Sequence, residues 1–257
     1  MIRCPDRMDF SLKKYQTLLT SLLQAGYDFQ TFDCFLKDAI PKTIVLRHDV
    51  DRLPEHALRF AELQRGLGIT GVYYFRSVPQ SWDERIIRKI ATLGHEIGYH
   101  YECLTTCKGN LSLAIQDFEK NLMALRRLAP VLTVCMHGSP LSRFDSRDLW
   151  KTYNYRDFGI TGEPYFDVDF TNVLYLTDTG RRWDGEKVSV RDKVNSGFNL
   201  VFRQTDDIIQ AAQQKALPNQ VMFTFHPQRW SDNTFFWLKE ATSQRIKNVV
   251  KHYFFVR

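Results

Sequence analysis

The sequence predicts an α/β fold in which parallel strands alternate with crossover helices. Three observations carry this expectation. Apolar, β-branched runs of strand length recur along the chain, amphipathic stretches of helix length separate them, and polar clusters follow the apolar runs at their C-terminal ends. Such alternation fits either a barrel or an open, doubly wound sheet. A single domain, 1–257, is expected at this length, since α/β barrels reach roughly 200–250 residues as one unit. The hydrophobic share of 44% and the charged share of 25% are those of an ordinary globular chain, with core enough to fold without disulfides or a structural metal.

In chain order, residues 9–25 read as an amphipathic helix with Leu12, Tyr15, Leu18, Leu19, Leu22 and Leu23 on one face, ended by Gly26. The run TIVLRHDVD from Thr43 is a strand that passes abruptly into charge. Pro54 opens a helix carrying Leu58, Phe60, Ala61 and Leu63 toward Gly66 and Gly68. Ile69–Phe75 is the next strand, and Ser81 can cap a helix through Ile86, Ile87 and Ile90 to Gly94. His95–His100 reads as a strand, Asn110–Leu128 as a long helix and Val131–Cys135 as a strand. The stretch 142–200 is less regular, with strands at Val173–Leu176 and Asn199–Phe202. Thr205–Ala216 is helical, Val221–Phe225 is an apolar strand, and a final helix runs from about Asp232.

The opening MIRCPDRMDF has no apolar core of a signal peptide, and no run reaches the ~18 apolar residues of a membrane span. Cys4, Cys34, Cys103, Cys107 and Cys135 form an odd, irregularly spaced set, which argues against a disulfide framework and for a reducing, cytoplasmic location. The net charge of +6 is scattered, Arg126-Arg127 and Arg181-Arg182 being its densest points. That pattern speaks against nucleic-acid binding and for a solvated basic surface or an anionic sugar substrate. The 19 Phe, 11 Tyr and 5 Trp are compatible with sugar stacking, although most of them are expected in the core and at the rim.

The chemistry-bearing residues follow the strands: Arg47-His48-Asp49-Val50-Asp51, Tyr99-His100-Tyr101-Glu102, His137-Gly138-Ser139-Pro140, Thr177-Asp178 and His226-Pro227-Gln228-Arg229-Trp230. In a parallel α/β fold these strand ends converge. Asp49 and Asp51 lie on the same side of an extended segment, so one can hold a metal while the other takes a proton from water; alternatively, one caps the helix near Pro54. His100 gains weight as a zinc ligand from Asp51, whereas His95 fits the buried start of its strand. His226, at the end of an apolar strand, can shuttle a proton near pH 7 or be a satisfied strand-end histidine. His100, Cys103 and Cys107 have spacing compatible with zinc, but two small hydrophobes at the rim is the stronger reading of the cysteines.

The ordered motifs RHDVD, GHEIGYHYE, MHGSP and FTFHPQRW, spread from about Thr43 to Trp230, resemble the polysaccharide deacetylase family, the NodB-homology group. The resemblance implies a distorted, seven-stranded (β/α) barrel, with residues 1–40 as an N-terminal helical extension packed on it. Closure would set Val221–Phe225 beside Thr43–Leu46 and bring His226 near Asp49. It also implies metal-dependent hydrolysis of carbon–nitrogen bonds, most directly N-deacetylation of an N-acetylated sugar or glycan precursor. Asp49 matches the catalytic base, Asp51 and His100 match metal ligands, and His226 matches the general acid. Two positions depart from the pattern. The second metal histidine, four residues after the first, is Leu104 here, which leaves His137 as the leading third ligand for a divalent metal, zinc foremost. The arginine that would hold the base aspartate is absent from the third motif, and Arg47 or Arg76 can replace it. Glu102, Asp178 and Trp230 are expected to support the site or the substrate. Two alternatives stand beside this function: a catalytically silent carbohydrate-binding barrel, and a hydrolase of another C–N bond such as a cyclic imide or ureide.

Overall fold

The computed structural model describes residues 8–139, 142–184 and 194–254; Cys4, Pro140 and the two ends of the expected 1–257 domain lie outside the described residues. Its centre is β2 (Thr43–Val50), buried along its whole length. Such continuous burial is what a parallel strand covered on both faces requires.

Around β2 lie β1 (Asp28–Gln30), β3 (Val72–Phe75), β4 (Glu96–Tyr101), β5 (Val131–Met136), β6 (Leu174–Thr177) and β7 (Gln220–Phe225). All pairings are parallel, in the order β5-β4-β3-β2-β7-β6. β1 pairs with the first half of β2, and β3 pairs with its second half. The helices are α1 (Leu12–Gln24), α2 (Phe32–Lys37), α3 (Pro54–Gly66), α4 (Glu84–Thr92), α5 (Cys103–Thr106), α6 (Leu111–Arg126), α7 (Pro164–Asp167), α8 (Thr205–Gln213) and α9 (Thr234–Phe254).

Alternation along the strands divides the core in two. Ile44, Leu46 and Val50 of β2 face outward into the larger cluster, where Leu18, Phe60, Ile87, Phe118 and Ile208 of the surrounding helices meet the sheet. Each such fully buried side chain contributes about 1.5–3 kcal/mol. Val45, Val72, Tyr74, Cys135 and Met222 line the inner face and pack on Phe32 and Phe35 of α2. Gly98 of β4 makes room for that inner layer: a Cβ there would stand 2.3 Å from the Tyr74 ring. The Tyr74 hydroxyl reaches Thr133 Oγ1 at 3.0 Å across the gap.

The seven strands and inner layer are those of the expected distorted α/β barrel. Among the described residues the hydrogen-bonded path stays open between β5 and β6, and the segment at Thr161–Gly162 runs along β5 instead, with Thr161 N–H on Leu132 O at 2.8 Å and Val134 N–H on Gly162 O at 3.1 Å. β7 does lie beside β2, from Thr43 opposite Gln220 to His48 opposite Phe225. It sits there as an interior strand with β6 beyond it, so this contact is not the seam that closes the barrel.

Three local expectations are corrected. Residues 8–40 are not purely helical, since β1 adds a strand to the sheet. No strand forms at 199–202; Phe202 enters the core from irregular backbone. Asp83, not Ser81, caps α4, its side chain accepting from Ile86 N–H, while Ser81 accepts from Arg76 N–H at 3.1 Å and donates to Val50 O. Among the described residues no helix is long and apolar enough to cross a membrane.

Candidate metal and acid–base site

The C-terminal end of β2 supplies the first group. Arg47 and Asp49, two residues apart, share the inner face, and both are buried. Arg47 Nε donates to Asp49 Oδ1 at 2.8 Å and Nη2 to Oδ2 at 2.6 Å, a bidentate pair. Burial alone would raise the Asp49 carboxyl, but the Arg47 guanidinium, with His100, outweighs it and holds the group at about 2. Neither aspartate caps α3: its N-cap is Leu53, left-handed at φ 53° and without a side-chain cap. The carboxylates are therefore free of that structural duty.

Asp51 lies one step further out. Its Oδ1 is buried with no hydrogen-bond partner, 3.6 Å from His100 Nε2 and 3.5 Å from His137 Nε2. The other nitrogen of each ring is engaged: His100 Nδ1 with Cys135 O at 2.9 Å, and His137 Nδ1 with Glu102 Oε2 at 2.9 Å. Those partners aim both Nε2 atoms at Asp51, the arrangement that fixes a metal-binding tautomer. Burial holds His100 down to about 4, which keeps its ring neutral and its Nε2 lone pair available. One ligand atom from each of Asp51, His100 and His137 lies within 4.8 Å of the others. Bonds of ~2.0–2.1 Å in a tetrahedral shell place ligands roughly 3.3–3.5 Å apart, so the residues present fit a divalent ion such as zinc. The orphaned Asp51 oxygen is the atom such an ion would satisfy.

Glu102 carries the orientation of His137 back to the scaffold. Arg76 donates to Glu102 Oε1 from Nε at 2.8 Å and from Nη2 at 2.6 Å. Burial would raise this carboxyl, but the hydrogen bond with His137 and the Arg76 guanidinium outweigh it and hold the group at about 2. Of the two candidate arginines, Arg47 grips Asp49, and Arg76 serves Glu102 instead.

β6 and β7 close the opposite side. His226 Nδ1 lies 2.6 Å from Asp178 Oδ1, and His226 N–H donates to Asp178 Oδ2 at 2.9 Å. Trp230 Nε1 and Arg229 Nη1 also donate to Asp178, at 2.6 and 3.0 Å. Asp178 is fully buried, and despite that burial His226 and Arg229 keep its carboxyl below the ordinary range. The ring is thus clamped with Nε2 directed toward Asp51 Oδ2, 3.9 Å away. Trp230 is buried among Phe10, Tyr15, Phe60 and Phe225, so it supports Asp178 from the core and offers no stacking surface.

Several neighbours were not anticipated. Glu163, at the start of α7, accepts from Met136 N–H at 3.0 Å and Tyr165 N–H at 2.6 Å. Burial raises it to about 7. It seats the Tyr165 ring against the Arg47 guanidinium, 5.2 Å from the centroid. Gln228 Nε2 donates to Asp51 Oδ2 at 3.1 Å. Cys135 stands close enough to Asp49 and His100 to form a second three-ligand group. Gln228 stands inside the HPQRW cluster, where its type alone assigns it no role; Glu163, Tyr165 and Cys135 lie outside the motifs and reach the site through tertiary contacts. Two sequence readings stay with the core. His95 is buried and bridges Gly71 N–H and Ala61 O. Cys103 is buried and its thiol is pushed up to about 12, unsuited to binding metal as a thiolate.

No protein-family model matches the sequence, and no curated protein matches it. Among solved structures the chain is similar to a CE4 family pseudoenzyme from Bacillus anthracis, at 12% identity over 81% of this chain and 63% of the other, with a TM-score of 0.45. This chain thus spans less than two thirds of that protein. It is similar to a family 4 carbohydrate esterase from Bacillus anthracis at 10% identity, over 97% of this chain and 93% of the other, with a TM-score of 0.44. It is also similar to a variant of the peptidoglycan deacetylase PdaC from Bacillus subtilis, at 11% identity, over 84% and 99% of the two chains, with a TM-score of 0.43.

Proposed function

We propose that this chain is a divalent-metal hydrolase of amide bonds, acting on the N-acetyl group of a sugar or glycan precursor. The observation that carries the reading is the orphaned Asp51 Oδ1 facing two imidazole Nε2 atoms, with a buried carboxylate and a carboxylate-clamped histidine beside it. Asp51, His100 and His137 would hold the ion. When bound, it supplies Lewis acidity toward the acyl oxygen and makes water more acidic. Arg47 keeps Asp49 anionic, and Asp49 accepts the proton that the attacking water gives up. His226, held by Asp178, carries a proton to the departing nitrogen. Acid and base of this kind contribute about 10²–10⁴-fold. The sugar as substrate rests on the motif resemblance. A cytoplasmic location belongs to the same reading and is supported by the odd, irregularly spaced set of five cysteines, which argues against a disulfide framework.

A silent carbohydrate-binding barrel is the second reading, favoured by Leu104 standing where the family pattern has a ligand. The deciding experiment measures metal content and acetate release from N-acetylated sugars, for wild type and two variants. Asp51→Asn is expected to lose the ion and all turnover. Asp49→Asn should keep the ion and lose ~10²-fold or more in turnover. Wild type that binds glycan but releases no acetate with any added divalent metal overturns the hydrolase.

A further inference from the structure

The outer face of α9 plays no part in this chemistry, yet α9 is built into the rim of the site. Arg52, next to Asp51, pairs with Glu240 at 2.5 Å. Arg181 Nη1 donates to Trp237 O at 2.9 Å, and Asn248 Nδ2 to Gly180 O at 2.9 Å, on the loop that follows Asp178. The inner side of the helix is thus fastened to the loops after β2 and β6.

Its outer side is apolar and basic. Phe235, Phe236, Leu238 and Ile246 are 71, 53, 54 and 62% exposed. Lys239, Arg245 and Lys247 are exposed among them. Phe235, Lys239, Thr242 and Ile246, at i, i+4, i+7 and i+11, form a central stripe; Leu238 and Arg245 flank it on one side, Phe236 and Lys247 on the other. Between Thr234 and Asn248 the single acid is Glu240, which turns inward to Arg52. A protein groove or a helical partner takes a continuous apolar stripe. Here a lysine and a threonine interrupt the stripe, and cations stand on both flanks. Aromatic and aliphatic side chains interleaved with cations, and no exposed acid, fit the interface of an anionic bilayer, where the rings enter the acyl boundary and the cations meet headgroups. The net charge of +6 adds long-range attraction to such a surface.

We propose that α9 docks this chain on an anionic lipid bilayer, with the mouth of the site held at the membrane. Resting on the hydrolase reading, this makes a lipid-borne N-acetylated sugar the substrate class.

The test is co-sedimentation with vesicles of phosphatidylcholine alone and of phosphatidylcholine with about one-third phosphatidylglycerol, which reads binding without turnover. Wild type is expected to bind the anionic vesicles and to be released by salt. The triple variant Lys239→Glu/Arg245→Glu/Lys247→Glu should bind ~10²-fold more weakly or worse. Phe235→Ser/Leu238→Ser/Ile246→Ser should also lose at least about tenfold. Acetate release from a soluble N-acetylated sugar should be unchanged in both, so that a failed docking surface and a failed hydrolase are told apart. Wild type that ignores anionic vesicles, or binds both kinds equally, overturns the proposal. So does variant binding equal to wild type, or a wild-type dimer that these variants dissociate, since a second copy would then cover the face.

Discussion

Replacing Arg47 with Met isolates the buried ion pair at the centre of the site. The two side chains are 2 and 5% exposed and joined by hydrogen bonds of 2.8 and 2.6 Å. With Arg47 present, the Asp49 carboxyl sits at about 2 against an ordinary value of 3.8. A folded-state pKa below the unfolded one stabilises the fold above the unfolded value, here by about 2–3 kcal/mol. That contribution is complete above about pH 4 and is lost as pH falls toward about 2. In Arg47→Met, burial becomes the dominant influence and raises the carboxyl above its ordinary range, so the sign reverses. At pH 7 the variant holds an uncompensated buried charge, a loss of about 3–5 kcal/mol, which protonation relieves as the solution is acidified. The stability gap between wild type and variant should therefore be widest near pH 7 and narrow by about 2 kcal/mol or more by pH 3. Urea unfolding at both pH values measures it. The double variant Arg47→Met/Asp49→Asn removes both charges and should recover most of the loss. A gap that stays constant between pH 7 and pH 3, or a double variant no more stable than Arg47→Met alone, refutes the reasoning.

Three further substitutions probe the supporting groups. Glu102→Gln loosens the hydrogen bond that aims His137 and should weaken metal affinity by about 10–100-fold, read by competition with a chelator; unchanged affinity removes Glu102 from that role. Asp178→Asn takes the charged acceptor from His226 and should lower kcat by about tenfold or more at unchanged metal content; a drop in metal occupancy instead would place Asp178 with the metal ligands. Leu104→His sets an imidazole into the outer core, where Leu104 is buried, and should cost about 1–3 kcal/mol without restoring the ion to a His137→Ala background. Metal binding by the Leu104→His/His137→Ala protein would show that position 104 still reaches the site.

The parts of the fold legible in the sequence are those where burial and periodicity coincide. The face Tyr15, Leu18, Leu19 and Leu22 marks α1 because every one of those residues is buried against the sheet. The run from Thr43 marks β2 because both of its faces are covered. β1 escapes notice because three residues with polar ends carry no period. It pairs there because β3 covers only the second half of β2 and leaves the first half an open edge. The opposite error occurs at 199–202, where an apolar run suggests a strand but Phe202 reaches the core without any pairing. Burial can be satisfied by one side chain; a strand also needs a neighbour with a free edge.

For the site, residues on one strand are easier to relate than residues on two. Arg47 and Asp49 meet because a two-residue step returns to the same face, a fact available from the sequence. Choosing Arg47 over Arg76 as the partner of Asp49 is not available there, since Arg76 finds Glu102 only across the β3–β4 interface. The relation of His137 to His100 depends on register. Position 104, four residues after His100, falls on α5 and turns into the outer core with Cys103. His137 instead stands one residue past the pairing of Tyr101 with Met136, its N–H on Tyr101 O at 2.9 Å, which sets it beside Glu102. That register is not uniform: it shifts between Ile97, opposite Val131, and Tyr99, opposite Val134, so β5 gains one residue on β4. A one-residue slip turns every later side chain to the other face. Without the irregularity between Ile97 and Tyr99, His137 would point away from Asp51, and no spacing in the sequence reveals it.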